Sequence, residues 1–312
     1  MVAGPAPFVG VVLVNFNGGK FMPDCVNSLT SNDYPNTKIV IVDNLSTDGS
    51  REWITSLPNS VEKVFLDRNT GITGGNNAGI KRCLEIGCDE VFILNNDTEL
   101  RADTIRKLVE AREPKRMLVP RIYYFDQPTI LNNNFGSFDF LRGRSNQFFY
   151  GASDTAESNR VTVGTMSSTC ALMVPRQVFE KIGFMDDDYF IYFDDTDFVA
   201  RSVRAGFLVK YVPESILFHK ESMSSGGNKL GPLPLYYLSR NRLQFMKKNQ
   251  TNALMFVAFL IYFSITQTIH LCKFALRKDK ASTLALTAGI QDYFKGKVGY
   301  TQPERYRLSV TK

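Results

Sequence analysis

FVGVVLVNFNGG (residues 8–19) and KIVIVDNLSTDGS (residues 38–50) are the stretches that decide the fold class. Each contains an apolar, β-branched run that lacks polar alternation and then ends in polar, turn-forming residues. This pattern is typical of strands buried on both faces of a parallel sheet. Helical segments follow, at about residues 21–29 and around Trp53 and Leu57. The succession predicts a βαβ arrangement.

The same order continues further along the chain. A third strand is predicted near residues 61–66, followed by the glycine-rich RNTGITGGNN (residues 68–77) and a helix over about residues 78–86. A fourth strand, within EVFILNND (residues 90–97), ends in Asn and Asp. Ligands bind outside the carboxyl ends of the strands in open α/β sheets. Because three of these strand ends carry Asp or Asn, we expect a polar site at that edge.

The second half of the chain is less regular. Residues 126–165 are rich in Asn, Gly, Ser and aromatic residues and predict loops or short strands that shape a binding site. We then expect a strand at 170–174, a helix at 177–182, the segment GFMDDDYFIYFDDTDF (183–198), a helix at 197–205 and a strand at 208–212. The sequence therefore predicts a mixed, mostly parallel α/β domain over residues 1–232 and a helical tail over residues 233–312.

The composition is that of a globular protein. Hydrophobic residues make up 44% of the 312 positions and charged residues 22%, which excludes a disordered chain and a polytopic membrane protein. Five cysteines without CxxC spacing, and an N-terminus unlike a signal peptide, predict reduced thiols in a cytosol-facing protein. With His219 and His270 as the two histidines, a structural zinc site or a Cys/His nucleophile is poorly supported.

The positive charge is concentrated in the tail. Residues 239–312 hold 13 Lys and Arg against 3 Asp and Glu, while the whole chain carries a net charge of +6. Nucleic acid, an anionic bilayer surface and a pyrophosphate-bearing lipid all fit such a charge. The tail lacks the interleaved aromatic and basic residues of an obvious nucleic-acid-binding module, so we expect no nucleic acid partner.

An uncharged stretch lies inside this basic tail. Residues 249–272 carry no Asp, Glu, Lys or Arg, and ALMFVAFLIYF (residues 253–263) is strongly apolar. Ser, Thr, Gln and His crowd the second half of the stretch, so a helix lying in the membrane interface between flanking lysines is the favoured interpretation. A buried core or dimer helix and a true membrane span are the alternatives.

Asp97 and His219 are candidate metal ligands. Asp97 ends the fourth strand, where its carboxylate suits a hard divalent cation that also binds phosphate oxygens. The alternative is that Asn-Asn-Asp-Thr only makes a turn and caps the next helix. His219 is alternatively a packed or hydrogen-bonded residue, although imidazole is a frequent metal ligand. An oxygen-rich site lacks a further protein ligand, which makes His219 the candidate partner of Asp97.

Asp43 and the glycine-rich stretch are candidates for nucleotide contact. A carboxylate at the end of a buried strand can accept hydrogen bonds from a base or ribose. Asp48 and Ser50 alternatively just cap the next helix. Around Asn69 and Asn77, glycines let the backbone approach a ligand, and the following helix offers free N–H groups. A tight strand-to-helix turn is the alternative there, since the spacing is neither GxGxxG nor Walker.

The acidic aromatic segment (residues 183–198) is the densest group of candidate catalytic residues. Six aspartates fall within 12 residues and alternate with aromatic residues. Carboxylates buried beside rings and beside one another have raised pKa values, which a general base needs near neutral pH. Helix caps and a packed aromatic cluster are the alternative for some of them. The six are Asp186, Asp187, Asp188, Asp194, Asp195 and Asp197.

Seven motifs in this order resemble those of the family 2 glycosyltransferases of the GT-A fold, and most of all their bacterial rhamnosyltransferase-like branch. They are VVLVNFNG, IVDNLSTDGS, RNTGITGGNNAGI, VFILNNDTEL, GFMDDDYFIYFDDTDF, FHKES and YYLSRNRL. The resemblance covers about residues 8–248. It implies that residues 1–100 bind the nucleotide sugar and residues 101–232 the acceptor.

The resemblance also implies roles for single residues. Asp195 is the general base, and Asp97 closes a DXD-like element and binds Mg²⁺ or Mn²⁺ with His219. The nucleotide site then comprises Asp43, Asn15, Asn69, Asn77 and Asn96, and the acceptor and sugar side comprises Asp194, Asp186, Asp187 and Arg240. Two positions depart from the family pattern, because Asn95 replaces the first acid of a strict DXD and Asp194 stands where Glu is usual.

The implied reaction is an inverting transfer to a glycan or polyprenyl-linked saccharide in cell-surface polysaccharide assembly. The first expectation for the donor is dTDP-rhamnose, and UDP-hexoses come next. The alternative is a non-catalytic nucleotide-sugar-binding protein of the same fold, which the neutral Asn95 favours. We expect a cytoplasmic protein attached peripherally to the inner face of the cell membrane through its tail, with a homodimer as one assembly state.

Overall fold

The computed structural model describes residues 6–133, 135–220 and 231–301. Its strands are Val9–Asn15 (β1), Thr37–Asp43 (β2), Glu62–Phe65 (β3), Glu90–Leu94 (β4), Thr98–Leu100 (β5), Arg116–Tyr124 (β6), Gln127–Leu131 (β7), Phe135–Asp139 (β8), Arg144–Gln147 (β9), Val163–Gly164 (β10), Met166–Ser167 (β11), Ala171–Pro175 (β12) and Leu208–His219 (β13). Its helices are Met22–Thr30 (α1), Ser50–Ser56 (α2), Gly71–Glu85 (α3), Thr104–Glu110 (α4), Arg176–Ile182 (α5), Asp194–Arg204 (α6), Pro232–Asn249 (α7), Ala253–Leu276 (α8) and Lys280–Phe294 (α9).

Most of the strands form one mixed sheet in the order β10-β13-β6-β12-β4-β1-β2-β3, with β5 on β13 and β7 on β6. Strands β4, β1, β2 and β3 are parallel, and β13 is parallel to β6. Strand β12 runs antiparallel to both β4 and β6. The predicted fold class is confirmed: a mixed, mostly parallel sheet flanked by helices, with a C-terminal helical extension.

The apolar runs bury the central strands on both faces. Leu13 of β1 belongs to one core cluster with Ile105 of α4, and Val12 belongs to a second cluster with Ile80 of α3. Helix α3 lies close against β1, because a Cβ on Gly75 would come within 2.6 Å of Val14. Only glycine permits so short a separation of helix and strand. The glycines therefore set how closely α3 covers the sheet.

Among the predicted elements, α3 and β13 differ most from the sequence prediction. Helix α3 begins at Gly71 and not near residue 78, so the glycine-rich stretch is the first part of the helix. The physical reason is the close packing on β1, together with a hydrogen bond of 2.9 Å from Gly71 N to Asn69 Oδ1. Strand β13 continues to His219, and the predicted stop at Pro-Glu-Ser is a bulge between Val212 and Ile216. Short strands occupy much of residues 126–165, as expected.

The C-terminal helices pack on the acidic aromatic segment. Tyr189 shares a hydrophobic cluster with Phe245 of α7 and Phe259 of α8. Helices α7 and α9 are also in close contact, since a Cβ on Gly289 would collide with Ser239 and the Tyr236 carbonyl. The chain from residue 232 onward thus covers a segment of the preceding domain. The domain boundary at residue 232 stays a prediction.

Helix α8 is mostly exposed. Within the described part of the chain it is the helix long and apolar enough to cross a membrane by length and composition, and 17% of its most apolar window is buried. That fraction is too small for a core helix, so the core alternative is wrong. All but one of its exposed large apolar side chains, Met255 being the exception, lie on one side: Leu254, Val257, Ile261, Ile265, Ile269 and Leu276. We call this set the α8 stripe.

Candidate functional site

Asn15 and Asp43 meet at the carboxyl ends of β1 and β2, because the two residues are direct partners in the parallel register. Asn15 Nδ2 donates to Asp43 Oδ1 at 3.2 Å, and Asn15 Oδ1 accepts from Asn96 Nδ2 at 3.3 Å. Asp43 is fully buried and forms an ion pair of 2.8 Å with Arg51, whose guanidinium lies over the Phe65 ring. The structure therefore brings together three of the five residues predicted to contact the nucleotide.

Asn69 and Asn77, the other two residues predicted to contact the nucleotide, form hydrogen bonds with other parts of the protein. Asn69 Oδ1 accepts from Gly71 N at the start of α3. The buried amide of Asn77 exchanges hydrogen bonds with the Met185 backbone at 2.9 and 3.0 Å, and it also donates to Asp187 at 2.9 Å. Asn77 thus fastens α3 to the acidic aromatic segment. Nucleotide contact by these two residues stays a prediction.

Asp97 and His219 are brought together by strand pairing. Strand β5 follows Asp97 directly and pairs antiparallel with the end of β13, where His219 is opposite Thr98. His219 Nε2 lies 3.2 Å from Asp97 Oδ1, and its Nδ1 lies 3.0 Å from Asn132 Nδ2. Burial lowers the pKa of His219, but the neighbouring Cys170 and Asp97 outweigh burial and raise that pKa to about 11.

Once a cation has displaced the proton of His219, the spacing of this pair fits one half of a divalent metal site. Two neighbouring ligands at about 2.1 Å from an octahedral cation lie about 3 Å apart, close to the 3.2 Å between Nε2 and Oδ1. Asp97 Oδ1 is buried and receives no well-directed hydrogen bond within the described residues. No group of three His, Cys, Asp or Glu able to hold a metal occurs among those residues. A cation here would therefore need water or substrate oxygens to complete its coordination.

A cavity of about 660 Å³ lies beside this pair. Asn95 and His219 line its wall near the sheet, and Asp194 and Asp195 line it at the start of α6. Further parts of the wall come from residues 166–170 and 191–193, from the β8–β9 hairpin, and from α7, α8 and α9, and they include Arg144, Arg242 and His270. The predicted base and one predicted metal ligand thus face a common space large enough for a sugar.

The backbone before Asp194 is strained. Phe190, Tyr192 and Phe193 all have left-handed φ angles, of 65°, 63° and 67°. Each such angle in a residue other than glycine is unfavourable by roughly 1–2 kcal/mol, and it persists only where the surroundings enforce it. The sharp path of this segment places the first residues of α6 at the cavity.

Asn241 of α7 holds this strained segment. It is not among the site residues predicted from the sequence, which include its neighbour Arg240. It is fully buried, and Nδ2 lies 3.1, 2.8 and 2.9 Å from the carbonyl oxygens of Tyr189, Ile191 and Tyr192. An amide has two N–H donors, so three carbonyls share them. The signal available in the sequence was an Asn within an otherwise basic motif.

Asp194 and Asp195 have raised pKa values. Burial is the largest cause for both carboxyls, and for Asp194 the charge of Asp195 adds to it. Asp195 Oδ1 also accepts hydrogen bonds from the Thr196 backbone N–H at 2.6 Å and from its hydroxyl at 3.1 Å, which favour the carboxylate. The direction agrees with the expectation that burial among aromatic rings raises the proton affinity of these acids.

The other acceptor-side candidates lie away from the cavity walls that the described residues form. Asp186 is paired with Lys248 at 2.5 Å, and Asp187 accepts from Asn77. Arg240 is fully buried, with its guanidinium over the rings of Tyr236 and Tyr237. On α7, the arginine that faces the cavity is Arg242.

The fold is that of the GT-A glycosyltransferases. A mannosyltransferase from Pyrobaculum calidifontis, solved with GDP-Man and Mn²⁺, superposes with a TM-score of 0.56 at 14% identity and covers 93% of this chain and 88% of that one. S. aureus TarS 1–349 with UDP-GlcNAc gives 0.56 at 13% identity, covering 96% and 82%. The chain covers 48% of the longer TarS chain.

The sequence comparisons give the family. The model of glycosyl transferase family 2 matches residues 10–183, more than half of the chain, and the chain belongs to this family. Among curated proteins it is similar to the dTDP-rhamnosyl transferase RfbF of Shigella flexneri, 25% identical over 75% of this chain and 79% of that protein. It is also similar to the N-acetylglucosaminyl-diphospho-decaprenol L-rhamnosyltransferase of Mycobacterium tuberculosis, 24% identical over 73% and 81%.

Proposed function

We propose that the protein is an inverting glycosyltransferase in which Asp195 is the general base. The observation that carries this proposal is the shared cavity, which has Asp195 on one wall and His219 on another. Burial raises the pKa of Asp195, so its carboxylate is a stronger base than an exposed aspartate. The hydrogen bonds from Thr196 orient the Asp195 carboxylate through its Oδ1.

The proposed step is a single displacement. Asp195 removes the proton from the acceptor hydroxyl while that oxygen attacks the anomeric carbon. The bond from this carbon to the nucleoside diphosphate breaks on the opposite face, so the configuration inverts and the diphosphate leaves with the bonding electrons. Asp97 and His219 would hold Mg²⁺ or Mn²⁺, whose chemistry is to stabilise the negative charge of the leaving diphosphate. The general base contributes typically ~10²- to 10⁴-fold to such a step.

For the donor we propose dTDP-rhamnose, with UDP-hexoses as the second candidate. The support is the similarity to two proteins named as rhamnosyltransferases, one of them for dTDP-rhamnose. The residues proposed to receive the nucleotide are Asp43, Asn15 and Asn96, which form one hydrogen-bonded group at the carboxyl ends of the strands. The nucleotide half would comprise residues 1–100, and the acceptor half residues 101–232.

For the acceptor we propose a lipid-linked saccharide at the cytoplasmic face of a membrane, in cell-surface polysaccharide assembly. The α8 stripe supports this, because an exposed apolar face flanked by Lys247, Lys273 and Arg277 suits an anionic bilayer surface. A relative is named for a decaprenol diphosphate acceptor. The protein would then attach peripherally, with α8 lying in the interface and with no nucleic acid partner. A homodimer formed through the stripe is the competing arrangement.

A nucleotide screen tests the donor. Thermal shifts are measured with dTDP, UDP and GDP, each with and without Mn²⁺, and we expect the largest stabilisation from dTDP with metal. A larger shift with UDP would replace rhamnose by a hexose as the first candidate. No shift with any nucleotide would contradict nucleotide-sugar binding altogether.

Turnover separates the enzyme from a non-catalytic binder. Nucleoside diphosphate release is followed with the best nucleotide sugar, first in wild type and then in Asp195→Asn. Asp187→Asn is the matched control, since Asp187 also lies in the acidic aromatic segment but pairs with Asn77. We expect release in wild type and in the control, and loss in Asp195→Asn. Donor binding without release in wild type would favour the non-catalytic alternative.

A further inference from the structure

Part of the cavity wall carries basic side chains. Arg242 of α7 and Arg144 of β9 both line it, and His270 of α8 lies beside them. Within the described residues neither arginine has a carboxylate partner, although many other arginines of this chain do. Burial is the main cause that lowers the pKa of Arg242, and the charge of Arg144 adds a smaller effect in the same direction. Such a pair is unfavourable until an anion enters.

The guanidinium of Arg242 is held in place before any ligand binds. It lies 5.3 Å from the ring centroid of Phe263 and 5.8 Å from that of Phe259, both on α8. One of its terminal nitrogens donates to the Arg142 carbonyl. Its Nε is buried, with no hydrogen-bond partner in the described part of the chain. A buried, unpaired donor next to a cavity is the feature expected of a site awaiting an acceptor atom.

We infer that Arg242 and Arg144 form a subsite for the diphosphate group of an amphiphilic, lipid-linked acceptor. This inference rests on the proposed function and goes further by naming the residues that bind the diphosphate of the acceptor. Arginine suits a diphosphate because its planar fork donates two parallel hydrogen bonds to phosphate oxygens. Asp194 and Asp195 line the same cavity from α6, whereas the two arginines line it from β9 and α7.

The position of α8 favours an acceptor diphosphate over the donor diphosphate. The side of α8 that lines the cavity carries Phe263, Gln267 and His270, and the α8 stripe is exposed on the opposite face of the same helix. With the stripe in the membrane interface, as proposed, the cationic part of the cavity lies one helix away from the bilayer surface, where the diphosphate of a lipid-linked acceptor would be held. The donor diphosphate is assigned instead to Asp97 and His219 at the sheet edge.

Calorimetry with two diphosphates tests the inference. Inorganic pyrophosphate and farnesyl diphosphate are titrated into the full chain with EDTA and saturating dTDP, so that the donor site is filled. We expect farnesyl diphosphate to bind more tightly than pyrophosphate. Arg242→Gln and Arg144→Gln should each weaken its binding by about 10- to 100-fold, the usual loss for charge-assisted hydrogen bonds. Arg144 is exposed, so its substitution leaves the core intact.

Arg142→Gln is the matched control. Arg142 is in the same hairpin but pairs with Asp139, so removing its charge should leave farnesyl diphosphate binding unchanged. Equal weakening of farnesyl diphosphate binding in all three variants would mean that only the net charge of the protein matters, and it would overturn the subsite. Loss of dTDP binding in Arg242→Gln would assign the arginine to the donor. Absent farnesyl diphosphate binding in wild type, with dTDP binding intact, would overturn the subsite but leave the proposed donor site standing.

Discussion

Replacing Asn241 with leucine tests the role of the strained segment before the proposed base. Leucine has a similar size but neither donates nor accepts a hydrogen bond. The part-buried carbonyls of Ile191 and Tyr192 lose the bonds from Asn241, and the buried Nε of Arg240 loses its acceptor. The Tyr189 carbonyl keeps the Ile191 N–H at 2.8 Å. A neutral hydrogen bond contributes about 0.5–1.5 kcal/mol and one to a charged group about 1.5–3 kcal/mol, so the three together predict a loss of about 2–6 kcal/mol in the free energy of unfolding.

Because of the strained φ angles, the effect of the substitution is divided between stability and turnover. If the segment relaxes, it gives up roughly 1–2 kcal/mol of strain at each of the three aromatic residues. The loss of stability then falls to the lower end of the range, but Asp195 moves. A displacement of about 1 Å at a reacting group can lower turnover by ~10²-fold. We therefore expect Asn241→Leu to lower both the free energy of unfolding and kcat, with the KM for the donor nearly unchanged.

Urea denaturation and steady-state kinetics measure the two effects. Asn249→Leu is the matched control on the same helix, since Asn249 is also buried but donates to Asp197 and the Phe245 carbonyl, outside the strained segment. It should lower stability and leave kcat within about threefold of wild type. A loss of less than about 1 kcal/mol in Asn241→Leu, with unchanged kcat, would refute this reasoning. Lower stability with unchanged kcat would make Asn241 purely structural.

Four further outcomes are expected. Asp195→Asn should lower kcat by at least ~10²-fold while donor binding persists, because it removes the base; full activity would exclude this role. Asp97→Ala should weaken nucleotide binding with Mn²⁺ in calorimetry but change little in EDTA, and an equal loss in both would remove it from the metal site. Burial raises the pKa of Glu90 from 4.5 to about 7. Between these pH values the folded state holds a proton on Glu90 that the unfolded state releases, so the free energy of unfolding falls as the pH rises from 4.5 to 7. Glu90→Gln should remove this fall, which thermal denaturation at pH 5 and pH 8 measures. Ile261→Glu with Ile265→Glu should abolish flotation with anionic liposomes but preserve transfer to a soluble acceptor, whereas unchanged flotation would exclude the stripe as the membrane contact.

The sheet was predictable from the sequence because its signal is local. The apolar runs of β1 and β2 end in Asn15 and Asp43, and parallel pairing alone brings such ends together. The predicted start of α3 was wrong because the low helix propensity of glycine predicts a turn. In the structure, the close packing on Val14 requires glycine inside the helix. That contact joins distant parts of the chain and leaves no periodic signal.

For the candidate site, the sequence predicts which residue types are present better than it predicts which groups those side chains contact. Asp194 and Asp195 were found because a dense acidic aromatic segment is unusual in itself. Arg240 and Arg242 stand two positions apart on α7, and the sequence offers no means of deciding which one faces a cavity. The structure places Arg240 over two tyrosine rings and Arg242 at the cavity. Asn241 holds backbone carbonyls, whose positions depend on the fold alone.

The pairing of β5 with β13 has a consequence for building hybrid enzymes. Asp97 and His219 come from opposite halves of the chain, yet backbone hydrogen bonds set their separation through the register of Leu217 with Leu100 and of His219 with Thr98. Backbone bonds do not depend on side-chain identity. A crossover placed just after residue 100 would thus exchange the donor half between homologues while keeping this pair aligned. A crossover between residues 97 and 98 would instead take β5 and β13 from one parent and only Asp97 from the other.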